Sequence, residues 1–388
     1  MEFPKRVKEV PPYLYAEMDN VIAEIKRQGK EIINIAHGDP DLTPPVEVIE
    51  ELKRSAGMKD AHLYPTYWGM IELRERIAHW MEGRFGVKLD PEKEIIILIG
   101  AKEGITHLFL ALAESGDYGL IPDPAYPTYK ASAIFADAVP IELPLLPEND
   151  FLPDLGSIDS GVLKRTKVLI INYPNNPTTK VADRRFFQEL VEFCRQHRIY
   201  IIHDHAYSEI YGGDPPPSIL EIEGAREIAV ELHTFSKTFN MQGYRIGWAC
   251  GGKDLIRALA IIKTNTDSGV FVPIQRAALK AFEVYEGFIP SLRERYQKRR
   301  EIIQGYLRDL GWNYYPSDAT IYVWTRMGVG NDSMRFVTEL IRKYGVMIGP
   351  GAGYGKYGEG FLRFSLTQPE AKIREGMEKF IAFTREWM

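Results

Sequence analysis

Residues 167–174 read KVLIINYP, and residues 199–207 read IYIIHDHAY. Both segments are apolar at nearly every position, whereas a strand with one exposed face would be apolar at every second position. Continuous apolar runs are typical of strands that are covered on both faces. Between the two segments, DRRFFQELVEFCRQH (183–197) has the apolar spacing of a helix. This succession of strand, helix and strand predicts a parallel sheet covered by helices, which is an α/β fold.

The same alternation continues through the middle of the chain. Further strands are predicted at EIIILIG (94–100), DYGLIPD (117–123), EIAVELHTF (227–235) and RIGWACG (245–251), with a helix at AKEGITHLFLALAES (101–115). These strands share the nearly continuous apolar pattern of the first two. We therefore predict a large domain over residues 46–275, whose mostly parallel sheet is covered by helices.

The pattern changes in the C-terminal part of the chain. A long charged amphipathic segment, SLRERYQKRREIIQGYLRDLG (291–311), is followed by short strands at TIYVWT (320–325) and FLRFSL (361–366) and by a closing helix. The N-terminal segment is too short to form a domain of its own. Residues 1–45 and 276–388 together predict a smaller α+β domain with an N-terminal arm.

Composition excludes several classes of protein. The 388-residue chain has a net charge of -5 and a pI near 6.0, whereas a nucleic-acid-binding protein is expected to carry a basic excess. No apolar run approaches the ~18 residues of a membrane span, and the N-terminus lacks the apolar core of a signal peptide. Cys194 and Cys250 have no metal or redox spacing. We predict a cytoplasmic protein without nucleic-acid or membrane partners.

Two patterns that suggest other ligands do not have the required context. GYGKYG (353–358) matches GxGxxG, but a dinucleotide fingerprint follows a strand and opens a helix, and this one precedes a strand. We therefore predict a turning loop and no nicotinamide site. His203 and His205 flank Asp204, yet this spacing without a third ligand is weak evidence for a metal. We predict no metal site.

The segment HTFSKTFNMQGYRIGW (233–248) contains an unusual lysine. Lys237 lies among Phe235, Phe239 and Met241, so it is expected to be at least partly buried. A buried ammonium group is costly unless it is paired or neutral. The segment alone leaves two interpretations open: Lys237 belongs to a structural ion pair, or its amine takes part in chemistry.

Polar residues follow the predicted strands. In an open parallel sheet, ligand sites form at the carboxyl ends of the strands. There, the helix that begins at AKEG offers the backbone N–H groups of Ala101 and Lys102, and a helix N-terminus suits a phosphate. Thr234, Ser236 and Arg245 can donate charge-assisted hydrogen bonds to the same group.

The other residues at this edge are suited to bind a ligand with a flat ring. Tyr126 can stack on a ring, and Asp204 can keep a ring nitrogen protonated. Asn176 and Tyr207 can bind a ring hydroxyl, and Lys237 supplies an amine for a Schiff base. Pyridoxal 5′-phosphate is a phosphorylated pyridine with a hydroxyl and an aldehyde, and it serves as an electron sink. It meets all of these requirements, so we predict it as the cofactor.

Each of these residues also has a purely structural interpretation. Asn176 precedes a proline and is suited to cap a turn, and Asp204 is suited to cap a helix. The tyrosines can be core residues, Arg245 can pair on the surface, and AKEG can simply begin a helix. Their order at successive strand ends favours the cofactor site.

With these residues in place, the chain resembles the class I/II aminotransferases over almost its whole length. These are pyridoxal-phosphate enzymes of fold type I. The motifs that carry the resemblance are NIAHGDPDLTPP (34–45), YPTYWGMIELRERI (64–77), YPNNPT (173–178), HDHAY (203–207), TFSKTFNMQGYRIGW (234–248) and GEGFLRFSL (358–366). The resemblance implies a large cofactor-binding domain, a smaller domain and a homodimer with shared active sites.

The resemblance also implies roles for residues outside the strand ends. Gly38 would approach the substrate carboxylate, and Arg363 would bind it in a bidentate contact, although Arg363 taken alone could be a surface residue of its strand. Tyr64 would reach the phosphate of the neighbouring subunit. The family usually has Gly where this chain has Thr179, a change that affects the turn and leaves Asn176 in place.

Within the family, the chain most resembles the LL-diaminopimelate aminotransferases. The segments concerned are PPYLYAEMDNVI (11–22), IGAKEGITHL (99–108), HDHAYSEI (203–210), KTNTDSGVF (263–271) and YGEGFLRFSL (357–366). This resemblance implies that Tyr13 and Lys102 contact the substrate, together with Tyr126 and Asn176. His37 stands where the subgroup usually has a small or aliphatic residue.

One of these segments leaves two interpretations open. Asn265 and Asp267 in KTNTDSGVF could bind a distal ammonium group of the substrate, or they could cap the turn before a helix. The spacing does not decide between these interpretations.

The activity implied by the resemblance is transfer of an amino group between an amino acid and a 2-oxo acid. The expected pair is LL-diaminopimelate and 2-oxoglutarate, in lysine biosynthesis. Lys237 would hold the cofactor and move the α-proton, with Asp204 and Tyr207 acting on the cofactor ring. The alternatives are an alanine- or aspartate-type aminotransferase of broader specificity and a pyridoxal-phosphate β-lyase. A transcriptional regulator on this fold would need an added DNA-binding domain, for which 388 residues leave no room.

Overall fold

The computed structural model describes residues 2–11, 16–27, 29, 31–316 and 318–387. The helices are α1 (Lys5–Glu9), α2 (Ala16–Arg27), α3 (Val46–Ala56), α4 (Ile71–Phe85), α5 (Ala101–Leu112), α6 (Thr128–Phe135), α7 (Ser160–Arg165), α8 (Arg184–His197), α9 (Phe235–Thr238), α10 (Lys253–Thr264), α11 (Val272–Glu283), α12 (Tyr285–Asp309), α13 (Ser333–Tyr344) and α14 (Glu370–Trp387). The strands are β1 (Ile33–Asn34), β2 (Ile95–Leu98), β3 (Tyr118–Asp123), β4 (Val139–Pro144), β5 (Thr166–Ile171), β6 (Tyr200–Asp204), β7 (Ala229–Thr234), β8 (Gly247–Gly251), β9 (Tyr322–Arg326), β10 (Val346–Met347), β11 (Gly349–Pro350) and β12 (Phe361–Ser365).

The central layer is a seven-stranded sheet in the order β2-β8-β7-β6-β5-β3-β4. Neighbouring strands from β7 through β4 pair in parallel, and β8 pairs antiparallel with both β2 and β7. Strands β2, β6 and β7 are buried at nearly every position because apolar residues pack on both faces of the sheet. The predicted α/β architecture with a mostly parallel sheet is confirmed.

The sequence patterns located every strand of this sheet except β4. The predicted strands correspond to β2, β3 and β5 to β8, with ends that differ by a few residues. Strand β4 was not predicted. It lies at the edge of the sheet, is only partly buried and contains Pro140 and Pro144. An edge strand tolerates proline, and this one lacks the continuous apolar run that located the other strands.

A second group of elements packs beside this sheet. Strands β11, β12 and β9 form an antiparallel sheet, and β1 pairs in parallel with β10. Helices α2, α12, α13 and α14 contribute buried apolar residues to a core shared with these strands. The boundaries 46–275, 1–45 and 276–388 stay a prediction. None of the described helices has both the length and the apolar character to cross a membrane.

Candidate active site

The carboxyl ends of the parallel strands border a cavity of 570 Å³. Residues from both the seven-stranded and the three-stranded sheet line it. The predicted residues among them are Gly38, Ala101, Lys102, Tyr126, Asn176, Asp204, Tyr207, Thr234, Ser236, Lys237, Arg245 and Arg363. Residues that are up to 325 positions apart in the chain therefore border one space.

One end of the cavity is suited to an anion. Helix α5 begins at Ala101 directly after β2, and its first N–H groups have no partner within the helix. Gly100 has φ 79°, and a Cβ there would lie 2.4 Å from Nη2 of Arg245, so glycine lets the guanidinium approach the helix end. Arg245 Nη1 donates to the carbonyl oxygen of Gln242 at 2.9 Å. Helix N–H groups and a guanidinium converge here, which suits a phosphate.

Two hydroxyls lie at the end of β7. Thr234 caps the short helix α9, where the Ser236 N–H donates to Thr234 Oγ1 at 3.1 Å. Thr234 Oγ1 in turn donates to Ser236 Oγ at 2.9 Å. Both residues are buried and line the cavity. Lys237 is the next residue of α9 and lines the same cavity.

Lys237 faces the cavity, and the pKa of its amine is lowered. Its Nζ donates to the carbonyl oxygen of Gly38. Loss of hydration lowers the pKa of Lys237, attraction to Asp39 opposes the shift, and repulsion from Arg363 and Arg245 adds to it, so that the pKa is about 8. About a tenth of the amine is therefore neutral at pH 7, and a neutral amine can act as a nucleophile or a base.

Asp204 lies at the end of β6 and is buried. Its Oδ2 accepts a hydrogen bond from the Tyr129 hydroxyl at 2.7 Å, while Oδ1 is buried without a hydrogen-bond partner among the described residues. Burial raises the pKa of Asp204, and the Tyr129 hydrogen bond and the charge of His203 act in the opposite direction. A cationic N–H donor at Oδ1 would satisfy the orphan oxygen and favour the anion.

Arg363 lies on β12 and is buried. Its Nη1 donates to Asn176 Oδ1 at 2.7 Å, and its Nη2 donates to the Ala36 carbonyl oxygen at 2.6 Å. The guanidinium lies 3.8 Å from the ring centre of Tyr322 and 4.6 Å from that of Tyr354. These contacts fix its plane, as a bidentate carboxylate contact requires.

Asn176, Tyr207 and Tyr126 complete the cavity wall. The Asn176 N–H donates to Asn172 Oδ1 at 2.7 Å, and Asn172 Nδ2 donates to the Asp204 carbonyl oxygen at 2.7 Å, which ties the segments after β5 and β6 together. Burial raises the pKa of Tyr207 well above its usual value, so its hydroxyl remains a donor. The half-buried Tyr126 presents a ring to the cavity.

With this geometry established, the chain can be compared with known proteins. The model of the family "aminotransferase class I and II" matches residues 30–380. The chain belongs to the class I and II aminotransferases. It is 43% identical over 380 residues to the LL-diaminopimelate aminotransferase of Halothermothrix orenii, covering 98% of both chains. It is 46% identical over 381 residues to LL-diaminopimelate aminotransferase 2 of Trichormus variabilis, again covering 98% of both chains.

Solved structures agree with this family. The substrate-bound BacF structure from Bacillus subtilis superposes with a TM-score of 0.94 at 33% identity, covering 99% of this chain and 98% of that one. An aspartate aminotransferase mutant from Thermus thermophilus superposes with a TM-score of 0.92 at 27% identity, covering 99% and 100%. The predicted fold type I and the predicted aminotransferase class are therefore confirmed.

Among the described residues, Tyr64, Asn265 and Asp267 do not line the cavity. Tyr64 is 89% exposed, and Tyr13 lies outside the described residues. The carboxylate of Asp267 contacts Lys263 Nζ at 2.8 Å, and Asn265 Nδ2 donates to the Ile261 carbonyl oxygen. These contacts fit the turn-capping interpretation of the KTNTDSGVF segment.

Thr179 occupies a backbone position that favours glycine. Its φ is 66°, in the left-handed region, and its N–H donates to the Asn175 carbonyl oxygen at 2.9 Å. This explains why the family usually has Gly there. Asn176 nevertheless reaches Arg363, so the departure leaves the site arrangement in place.

Sequence reasoning missed several residues around the cavity. Tyr129 lies in the first turn of α6, in the same DPAYPTY segment as the predicted Tyr126, and this closeness in sequence is a signal that could have been used. Asn172 follows β5, as the predicted Asn176 does. Tyr322 and Tyr354 gave no local signal because their partners come from distant segments.

The buried histidines form a separate cluster. Glu231 accepts from Ser218 and the Ile219 N–H, and its oxygens lie 3.0 Å from His203 Nδ1 and 2.7 Å from His233 Nε2. The rings of His203 and His205 are stacked with an interplanar angle of 22°, and one nitrogen of each ring and a Glu231 oxygen all lie within 4.8 Å of one another. Burial lowers the pKa of His205 to about 3, which keeps it neutral.

Proposed function

We propose that this aminotransferase carries pyridoxal 5′-phosphate on Lys237. The observation that carries the proposal is the orphan Oδ1 of buried Asp204, which faces the same cavity as the amine of Lys237. A protonated pyridine nitrogen would supply the missing donor. The N-terminus of α5 with Arg245, Thr234 and Ser236 fits the phosphate, and Tyr126 offers a ring for stacking.

When bound, pyridoxal phosphate supplies an electron sink for the negative charge that develops at the substrate α-carbon. The residues of the chain then have distinct tasks. Asp204 remains anionic and holds the ring nitrogen protonated, while Asn176 and Tyr207 donate to the ring hydroxyl oxygen. Once the amino group of the substrate has replaced Lys237 on the cofactor, the freed Lys237 Nζ would accept the α-proton and later give it back as general acid. Arg363 holds the α-carboxylate and so orients the α-proton toward Lys237.

We further propose that the amino donor is LL-diaminopimelate and the acceptor is 2-oxoglutarate, which places the enzyme in lysine biosynthesis. The support comes from relatives named LL-diaminopimelate aminotransferases that match nearly the full chain. Gly38, Lys102, Tyr126, Asn176 and Arg363 line the cavity in positions where they can contact the substrate. Tyr13 is proposed to join them.

The test is single-turnover absorbance of the purified protein. It would be mixed in turn with LL-diaminopimelate, alanine, aspartate and glutamate. Fastest loss of the visible cofactor absorbance with LL-diaminopimelate is the expected result. Fast loss with alanine or aspartate and none with LL-diaminopimelate would favour the aminotransferase of broader specificity. A β-lyase would release ammonia and pyruvate without a 2-oxo acid, so an ammonia assay separates it.

We also propose a cytoplasmic homodimer with shared active sites. The support is an exposed apolar surface at Leu63 (69% exposed) and Tyr64 (89% exposed), in the segment that the family resemblance assigns to the neighbouring phosphate. A second copy of the chain would cover these side chains. Sedimentation should give a dimer mass, and Tyr64→Phe should weaken cofactor retention. A monomer with full activity would contradict the dimer.

A further inference from the structure

Tyr322 lies under the arginine that is proposed to bind the substrate carboxylate. Strands β9 and β12 pair with Trp324 opposite Arg363, so Tyr322 is the diagonal neighbour of Arg363 on the same face of the sheet. The Arg363 guanidinium lies 3.8 Å from the centre of the Tyr322 ring. Such a contact stabilises the cation and restricts its orientation.

The hydroxyl of the same tyrosine reaches the other side of the cavity. Tyr207 OH lies 3.3 Å from Tyr322 OH, and the two rings meet edge to face. A Cβ on Gly38 would lie 1.9 Å from Tyr322 OH, so Gly38 leaves room for this hydroxyl. Gly38 in turn accepts a hydrogen bond from Lys237 through its carbonyl oxygen. Tyr322 therefore contacts three residues of the site, Arg363, Tyr207 and Gly38, and each comes from a different segment of the chain.

We propose that Tyr322 is a positioning residue that couples the carboxylate-binding Arg363 to the cofactor-binding Tyr207. Its ring orients the guanidinium, and its hydroxyl orients the Tyr207 hydroxyl toward the cofactor. This inference rests on the proposed pyridoxal phosphate site. Nothing in the sequence pattern of TIYVWT distinguishes Tyr322 from an ordinary core residue, since it is buried and begins a strand.

The hydroxyl part of the proposal follows from hydrogen-bond cooperativity. In the structure, Tyr207 OH donates to Tyr322 OH. When Tyr207 donates instead to the oxygen of the cofactor ring, the hydroxyl hydrogens can rotate so that the Tyr207 oxygen accepts from Tyr322. A donor that also accepts a hydrogen bond is polarised and donates more strongly. Without Tyr322 OH, the ring oxygen is less stabilised and holds the neighbouring Schiff-base proton more tightly. The pKa of the visible absorbance change of the bound cofactor should then rise.

The experiment is a spectroscopic pH titration of the loaded protein, free of substrate. Wild type would be compared with Tyr322→Phe, Tyr207→Phe and the double variant. We expect Tyr322→Phe to raise the pKa by roughly 0.2 to 0.6, and Tyr207→Phe to raise it by about 1 or more. The double variant should match Tyr207→Phe alone, because Tyr322 acts through Tyr207.

Substrate kinetics test the ring separately. Tyr322→Phe keeps the ring, so KM for the amino acid should stay within about twofold, whereas Tyr322→Leu should raise KM by about three- to thirtyfold. Tyr354→Phe is the matched control for the titration, since the Tyr354 ring also lies near Arg363 while its hydroxyl lies beside Gly349. It should leave the spectroscopic pKa unchanged.

The outcomes separate the two proposals. An unchanged pKa in Tyr322→Phe, or equal shifts with and without Tyr207, would overturn the role of Tyr322 while the cofactor site stands. A wild-type protein without cofactor absorbance would overturn the cofactor proposal itself. Melting temperatures of all variants identify any that fold poorly. Tyr322→Phe removes only the hydroxyl group, so we expect it to fold like the wild type.

Discussion

The two walls of the cavity are built in different ways. On the seven-stranded sheet, Asp204 and Thr234 are the last residues of neighbouring parallel strands, and Lys237 follows within one turn. On the opposite wall, Arg363 lies within an antiparallel strand and depends on Tyr322 from a neighbouring strand and on Asn176 from the first wall. The first wall uses local sequence order, and the second uses contacts between distant segments.

This difference has a physical basis. The carboxyl ends of parallel strands lie at the same edge of the sheet, so the short motifs that follow successive strands are brought together by the sheet itself. Successive side chains inside an antiparallel strand point to opposite faces of the sheet, so the strand does not bring them to one common edge. The role of each side chain then depends on what packs beside it. Variants on the first wall should therefore act on the cofactor chemistry, and variants on the second wall should act mainly on substrate binding.

The largest effect is expected at Lys237. Lys237→Ala removes the amine that holds the cofactor and moves the proton, so turnover should fall by at least about 10⁴-fold and the visible cofactor absorbance should disappear. Steady-state assays and absorbance spectra measure both. Lys167→Ala is the control, because Lys167 is an exposed residue of β5. Activity of Lys237→Ala near that of wild type would contradict the proposed chemistry.

Asp204 tests the electrostatic part of the first wall. Asp204→Asn keeps the shape and the Tyr129 contact but removes the charge, so kcat should fall by about 10²- to 10³-fold. Tyr129→Phe keeps the charge and removes one hydrogen bond, so a loss of about tenfold is expected. Measurement of kcat for both variants compares the contribution of the Asp204 charge with that of the Tyr129 hydrogen bond. Equal losses would show that the charge is not the main factor.

Arg363 tests the second wall. Arg363→Lys keeps a positive charge but loses the planar bidentate contact, so KM for the amino acid should rise by roughly 30- to 100-fold. The cofactor absorbance should be retained, in contrast to Lys237→Ala. Arg326→Lys, an exposed position on neighbouring β9, is the control for substitution in this sheet. Loss of cofactor without a change in KM would reverse the assignment of the two walls.

The smallest effect concerns pH. The folded protein lowers the pKa of Lys237 from 10.5 to about 8, so the amine is protonated below that pH and neutral above it. Because only the neutral amine attacks an aldehyde, the rate of pyridoxal phosphate capture by cofactor-free protein should rise about tenfold per pH unit below 8 and level off above it. Stopped-flow absorbance measures this rate. A rate that still rises tenfold per pH unit above pH 9 would indicate an ordinary lysine.

Much of the first wall could be predicted from sequence. Continuous apolar runs located six strands of the sheet, and the polar residues after them named Ala101, Asn176, Asp204 and Lys237, which now line one cavity. Strand β4 was missed because an edge strand with two prolines lacks that pattern. Arg363 was identified only through the family resemblance, since its spacing alone fits a surface strand.

The sequence by itself determined the fold class, the aminotransferase family and the motifs at the strand ends. Those properties depend on local periodicity and on residue types in a fixed order. Only the tertiary structure decided that Tyr129 supports Asp204, that Asp267 pairs with Lys263, and that Tyr322 lies between Tyr207 and Arg363. The Tyr129–Asp204 and Tyr207–Tyr322 contacts join residues 75 and 115 positions apart, so they depend on the packing of whole elements. Asp267 and Lys263 are only four positions apart, and the structure decided that Asp267 pairs there rather than facing the cavity.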